Sequence, residues 1–318
     1  MDARLAAAAA TLAAALAGSA GCSGCRNDAA SAGAGQGGAP DGEAPASSAP
    51  MSASGPGVNA TPLPAASVAA AVNPNGLPAY TGPTGSLEGT ITVLGDPAPA
   101  TPADFSKCPE GERTYGKAFR EGAALADGRR PLADALVVVT GYEGFVVPEQ
   151  REAKEVTIEG CAYTARTIDV TFGQRIDLRN KDKRLYAPEL ASSPMPALMV
   201  APPNGDAIKL YPRRPGYTSL IERMGPSFVQ ADVYTLLQPL HTVSGLDGHY
   251  RLDGVPVGTM TVNVRLRAIN RDVSRSVRIT AGVVARADVT LEHRAADAGA
   301  PADAGAAGDA APRRAPIK

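Results

Sequence analysis

The chain has no tryptophan, three histidines and an aromatic content of 4%, and each scarcity closes off some chemistry. His241, His249 and His293 match no metal-ligand spacing, and no cysteine flanks them. A zinc or copper centre built from imidazole and thiolate is therefore not encoded, and the three read as surface or edge histidines. There is no Gly-x-Ser-x-Gly elbow, no His-Glu-x-x-His and no complete Gly-x-x-x-x-Gly-Lys-Ser/Thr phosphate loop, so the common nucleophile, metalloprotease and nucleotide signatures are missing. Asp177, Asp182, Glu189 and Asp232 are scattered carboxylates with no assignable acid–base pair. Neither sign of charge prevails, with 31 Lys and Arg against 32 Asp and Glu. Nothing in that balance draws the chain to nucleic acid or to an anionic membrane surface.

The N-terminal apolar run, Leu5 to Leu16, follows Arg4 and is too short to span a bilayer, so it reads as the apolar region of an export signal. It leads into Ser19-Ala20-Gly21-Cys22, which resembles a bacterial lipobox. The resemblance implies a mature protein beginning at lipid-modified Cys22, anchored in the cell envelope. Cleavage after Ala20 by an ordinary signal peptidase fits the same residues, and Cys25 is a second acceptable lipidation site. In the oxidising compartment beyond the membrane, Cys108 and Cys161 are either a disulfide or two buried thiols.

Composition divides the rest. Residues 23–85 are Ala, Gly, Ser and Pro with few large apolar side chains, which is the signature of a disordered tether. Some sixty such residues span about 40–45 Å on average. The tail, 294–318, repeats the theme. Between them lie strand patterns. Leu87–Val93 and Glu155–Glu159 alternate, Ala135–Thr140 is a β-branched run, and Thr167–Phe172 passes through a turn into Arg175–Leu178. Val243–Leu252 carries Asp247-Gly248 at a hairpin turn. Helical periodicity is weak, limited to a turn or two near Lys117–Leu125. Short strands at close spacing indicate an all-β sandwich.

Two segments carry a family resemblance. Asn180-Lys181-Asp182-Lys183-Arg184-Leu185-Tyr186 and Ala231-Asp232-Val233-Tyr234-Thr235-Leu236-Leu237 resemble the copper-ligand loops of a cupredoxin-like envelope family. Tyr186 and Tyr234 stand where that family has His, Ala231 where it has Cys, and Leu237 where it has Met. After them, Asp247-Gly248-His249-Tyr250 and Gly254-Val255-Pro256-Val257-Gly258 resemble a carboxypeptidase regulatory-like, transthyretin-like module. The resemblance implies such a module merged with a Greek-key cupredoxin-like segment, the cupredoxin part with the module's leading strand over 86–240 and the rest of the module over 241–293. It implies a degenerate copper site without cofactor, Tyr186 and Tyr234 facing the old metal position with Asn180, Tyr211 and Tyr217 nearby. It also implies a Cys108–Cys161 bridge, which stabilises by about 4 kcal/mol in the chain-entropy model. Met195, Met199 and Met224 are the remaining soft donors. The expectation is a non-enzymatic, membrane-anchored binding or scaffold protein with an envelope protein or glycan as partner.

Overall fold

Period-2 alternation governs most of the chain between residues 84 and 293, and it folds as strands accordingly. The computed structural model describes residues 60–191 and 199–295. Cys22, Cys25, the export signal, the tether up to residue 59, Met195 and the tail beyond 295 lie outside the described residues. A helix, α1 (Ala65–Val72), precedes β1 (Thr84–Gly95). The one-turn α2 (Glu112–Tyr115), β2 (Arg130–Pro131) and β3 (Leu136–Thr140) follow. Next come β4 (Ala153–Ile158), β5 (Thr167–Thr171), β6 (Arg175–Asn180), β7 (Pro188–Leu190), β8 (Ile208–Leu210), β9 (Gly216–Glu222) and β10 (Gln230–Leu236). The chain ends with β11 (His241–Val243), β12 (His249–Pro256), β13 (Gly258–Leu266), β14 (Arg271–Ile279), β15 (Val284–Arg286) and β16 (Val289–His293).

The strands form two sandwiches, each closed around its own apolar core. In the first, β12, β15, β16 and β2 all pair with β1, and a second sheet runs β11-β3-β13-β14. Leu87, Ile91, Val137, Val139, Val262 and Leu291 fill the space between them. Burying each such side chain stabilises by about 1.5–3 kcal/mol. In the second, β5-β10-β9-β7 faces β4-β6-β8 across Ile158, Ile168, Leu178, Leu220 and Val233. The second sandwich is thus a stretch inserted between β3 and β11, to which Cys108 and Tyr115 are added from the segment between β1 and β2. The fold is an all-β sandwich.

β1 organises the first sandwich because it changes partners. It pairs antiparallel with β12 over Thr84–Thr90, then parallel with β16 over Ile91–Gly95. At the changeover a side chain on Gly89 would place its Cβ 2.2 Å from the Ala287 carbonyl oxygen, so only glycine allows the crossing.

Several expectations are corrected. Residues 60–85 do not all belong to the tether, since α1 sets Val68 against Gly173 and Ala79 bridges to Val146. β5 and β6 are joined by a turn but do not pair, because the turn carries the chain from one sheet of the second sandwich to the other. The Asp247-Gly248 turn forms, yet β11 and β12 also diverge into opposite sheets. The extended hairpin is β13–β14, with nine paired positions around Asn270 at φ 46°. His241 and His293 are buried rather than superficial, and His249 alone is exposed. Cys108 and Cys161 are disulfide-bonded, their Cα atoms 6.0 Å apart.

Candidate functional site

The four positions that the resemblance assigns to a copper site do not converge. β10 alternates, so Ala231 and Val233 face the second core while Tyr234 faces the opposite way. Tyr234 packs on Tyr217, its direct partner on β9, with ring centroids 5.6 Å apart. Tyr186 lies fully buried in the second core, where its hydroxyl donates to Asp182 Oδ2 at 2.6 Å. Leu237 lies beyond the strand and is exposed. The structure therefore does not bring Tyr186 and Tyr234 together, and Tyr217 goes with Tyr234.

The residues retained from the upstream motif hold a loop. Asn180 Nδ2 donates to the carbonyls of Arg184 and Ala201, both at 2.8 Å, and its Oδ1 accepts from the Asp182 amide at 2.9 Å. Asp182 accepts from the amides of Gly160 and Cys161 at 2.7 and 2.9 Å, which secures the disulfide turn. These residues do not fit copper, for they offer neither imidazole nor thiolate. Met199 packs partly buried against the second core and Met224 is exposed. Among the described residues the one cluster of three possible ligands is Cys108, Glu110 and Cys161, and its two sulfurs are spent in the disulfide. Gly111–Lys117 spells most of a phosphate loop, but Ala118 follows and Tyr115 is buried in the core.

A different constellation sits between the sandwiches. Ile168 and Val170 turn one face of β5 into the second core, leaving Thr167, Asp169 and Thr171 on the other. β11 of the first sandwich covers that face and presents His241. The His241 Nδ1 lies 2.8 Å from Asp169 Oδ2, and its Nε2 lies 3.0 Å from Thr171 Oγ1. Thr171 Oγ1 donates to Glu149 Oε2 at 2.5 Å, and the Lys154 ammonium from β4 pairs with the other oxygen of Asp169. Asp169 and His241 are 0% exposed and Thr171 is 3% exposed.

Burial by itself would raise the Asp169 carboxyl, but the hydrogen bond from His241 and the charge of Lys154 outweigh it and hold the group below its ordinary value. Burial also opposes ionisation of Glu149, and the hydrogen bonds from Arg151 and Thr171 overcome it, so this carboxyl too lies low. Two ionised carboxylates only accept, so the direction of the chain is fixed. Thr171 gives its proton to Glu149, and His241 Nδ1–H donates to Asp169, leaving Nε2 beside the Thr171 oxygen. The connectivity matches an Asp–His–hydroxyl triad, but the polarity does not. A general base must accept the proton of the nucleophile, and here that proton is committed to Glu149. The set can act as an ionic staple between two β-sandwiches.

The sequence hid this set for a physical reason. Thr-Ile-Asp-Val-Thr reads as a half-exposed strand with its polar face toward water, and nothing local reveals that another strand will cover it. The one available signal was His241 itself, one of only three histidines in the chain. His241 also borders a cleft of 490 Å³, while Thr171 borders another of 500 Å³, and Glu149 and Arg151 border both.

No protein-family model and no curated protein sequence matches the chain. Among solved structures, amicyanin from Paracoccus versutus is similar at 14% identity and a TM-score of 0.24, over 31% of this chain and 96% of its own. A copper-containing nitrite reductase from Thermus scotoductus SA-01 is similar at 13% identity and a TM-score of 0.22, over 30% of this chain and 24% of its own. Likeness of this extent adds nothing to what the sheets themselves establish.

Proposed function

We propose that this chain is exported, lipid-anchored at Cys22, and serves without catalysis as a binding or scaffold β-sandwich in the cell envelope. In this reading the first sandwich is a carboxypeptidase regulatory-like module. The second is a cupredoxin-like segment whose copper positions, Tyr186, Ala231, Tyr234 and Leu237, no longer carry ligand side chains. The observation that carries it is the buried set Asp169–His241–Thr171. Its hydroxyl proton is directed to Glu149 and its members are nearly inaccessible, which suits a joint rather than a reaction centre. The lipobox-like Ala20-Gly21-Cys22 supports the anchor.

The triad-like connectivity gives a hydrolase the place of second reading, and one experiment separates the two. The purified mature chain and its Thr171→Val variant are offered chromogenic esters, anilides and glycosides. The proposal expects no turnover above buffer in either; turnover in the wild type that disappears in Thr171→Val establishes the hydrolase. Metabolic labelling with a fatty-acid analogue checks the anchor. Label is expected in the wild type and absent from Cys22→Ala, whereas loss only in Cys25→Ala moves the anchor to Cys25.

A further inference from the structure

The face of β10 opposite the second core carries a group that packing does not explain. The Tyr234 hydroxyl is buried and has no hydrogen-bond partner, although an orphaned buried polar atom costs about 1–3 kcal/mol. Burial pushes this phenol up to about 12, so it is a neutral donor at any ordinary pH. Tyr234 is 8% exposed, and its neighbour Tyr217 is 41% exposed. The Arg267 guanidinium lies over the Tyr217 ring, 4.2 Å from its centroid. The Tyr217 hydroxyl hydrogen-bonds with Ser219 Oγ at 2.7 Å and donates to Asp232 Oδ1 at 2.9 Å. Burial raises the Asp232 carboxyl despite the hydrogen bond from Tyr217, which marks a partly dehydrated surface.

The charges here come in matched pairs. Arg267 stands 3.7 Å from Asp232, and Arg265, which acts electrostatically on Tyr234, stands 3.4 Å from Asp272. Arg265 and Asp272 also border a cavity of 310 Å³ together with Asn263 and Ser274. The surface thus joins an aromatic platform to a recess in which Leu136, Val138, Val264 and Val273 accompany the polar groups and the one cation and one anion cancel. An ionic ligand would have to break one of these pairs and leave its partner uncompensated. A neutral polyhydroxylated ligand would not, because its hydroxyls donate to the carboxylates and accept from the guanidinium groups while its C–H faces lie on tyrosine.

We infer that the surface formed by Tyr217, Asp232, Tyr234, Arg265 and Arg267 is a binding site for a neutral saccharide. The inference rests on reading the chain as a binding module and gives that module its ligand class. The Tyr217 ring caps Tyr234, and a sugar hydroxyl that displaces it while Arg267 stays paired with Asp232 supplies the partner Tyr234 lacks.

The test is affinity electrophoresis of the mature chain in gels containing neutral glucan, mannan or N-acetylglucosamine polymers, with polyuronate as the charged counterpart. Retardation by at least one neutral polymer and not by polyuronate is expected. Tyr217→Ala and Asp232→Asn should each weaken it by about tenfold or more, the worth of one charge-assisted contact. Leu246→Ser, at an exposed turn outside this surface, should leave it unchanged. Tyr234→Phe is the sharpest variant, because it removes only the orphaned oxygen. It should weaken retardation while raising the unfolding midpoint, a combination that a purely structural tyrosine cannot give. Failure of every neutral polymer, a preference for polyuronate, or retardation indifferent to Tyr217→Ala overturns the inference. Hydrolysis of a retained polymer would instead sink the non-catalytic reading and leave the site standing.

Discussion

Two buried side chains on adjacent strands show opposite ways of treating a polar atom. Asp169 takes partners on both oxygens, His241 on one and Lys154 on the other, whereas the Tyr234 hydroxyl takes none. Removing the unpartnered oxygen should therefore help the isolated protein. Tyr234→Phe is expected to gain about 1 kcal/mol or slightly more, read as a higher denaturation midpoint without ligand; a loss would mean that the hydroxyl has a partner, such as an internal water. Little of this was legible in sequence. Tyr186, Ala231, Tyr234 and Leu237 align in order with a ligand set, but alignment does not say which face of a strand each residue takes. Once β10 runs unbroken through Ala231 and Tyr234, alternation separates them, and the shared site that the resemblance implied is gone.

Among the elements, the strands read from sequence were those whose residues alternate or run apolar, such as β1, β3, β4 and β5. What sequence could not supply was partnership. The turns after β5 and before β12 both carry clear signals, yet in each case the flanking strands go to different sheets, because two cores compete for their apolar faces. α1 was missed because Ala-Ala-Ser-Val-Ala-Ala-Ala-Val continues the composition of the tether, and only the seat beside Gly173 distinguishes it. β1 is the element on which the first sandwich depends most. Gly89→Ala is expected to cost several kcal/mol, since the added methyl would meet backbone and not a movable side chain. Chemical denaturation reads the loss, and near-wild-type stability would show that β1 and the chain at Ala287 can separate freely. The disulfide acts on the second sandwich. With its cysteines 53 positions apart in sequence, the double variant Cys108→Ala/Cys161→Ala should lose about 4 kcal/mol, measurable by the same denaturation under non-reducing conditions.

At the scale of the whole molecule, the two cores meet across a joint made of charge. Apolar surface would weld them without specificity, whereas Asp169, His241, Lys154, Thr171 and Glu149 accept only one register of β11 against β5. Such a joint is sensitive to acid. The Asp169 carboxyl is held below its ordinary value in the folded protein, so it contributes stability that is complete above the unfolded value of about 3.9. That contribution drains away as pH falls through the lower folded value. The decisive comparison is the pH dependence of unfolding free energy for the wild type and Asp169→Asn. The wild type should be more stable by about 3–5 kcal/mol at neutral pH, the usual cost of stripping one partner from a buried charge pair. The gap should narrow as pH drops below about 4. Parallel curves down to the acid limit, or an Asp169→Asn variant as stable as the wild type at neutral pH, would contradict the staple and return Asp169, His241 and Thr171 to consideration as a reaction centre.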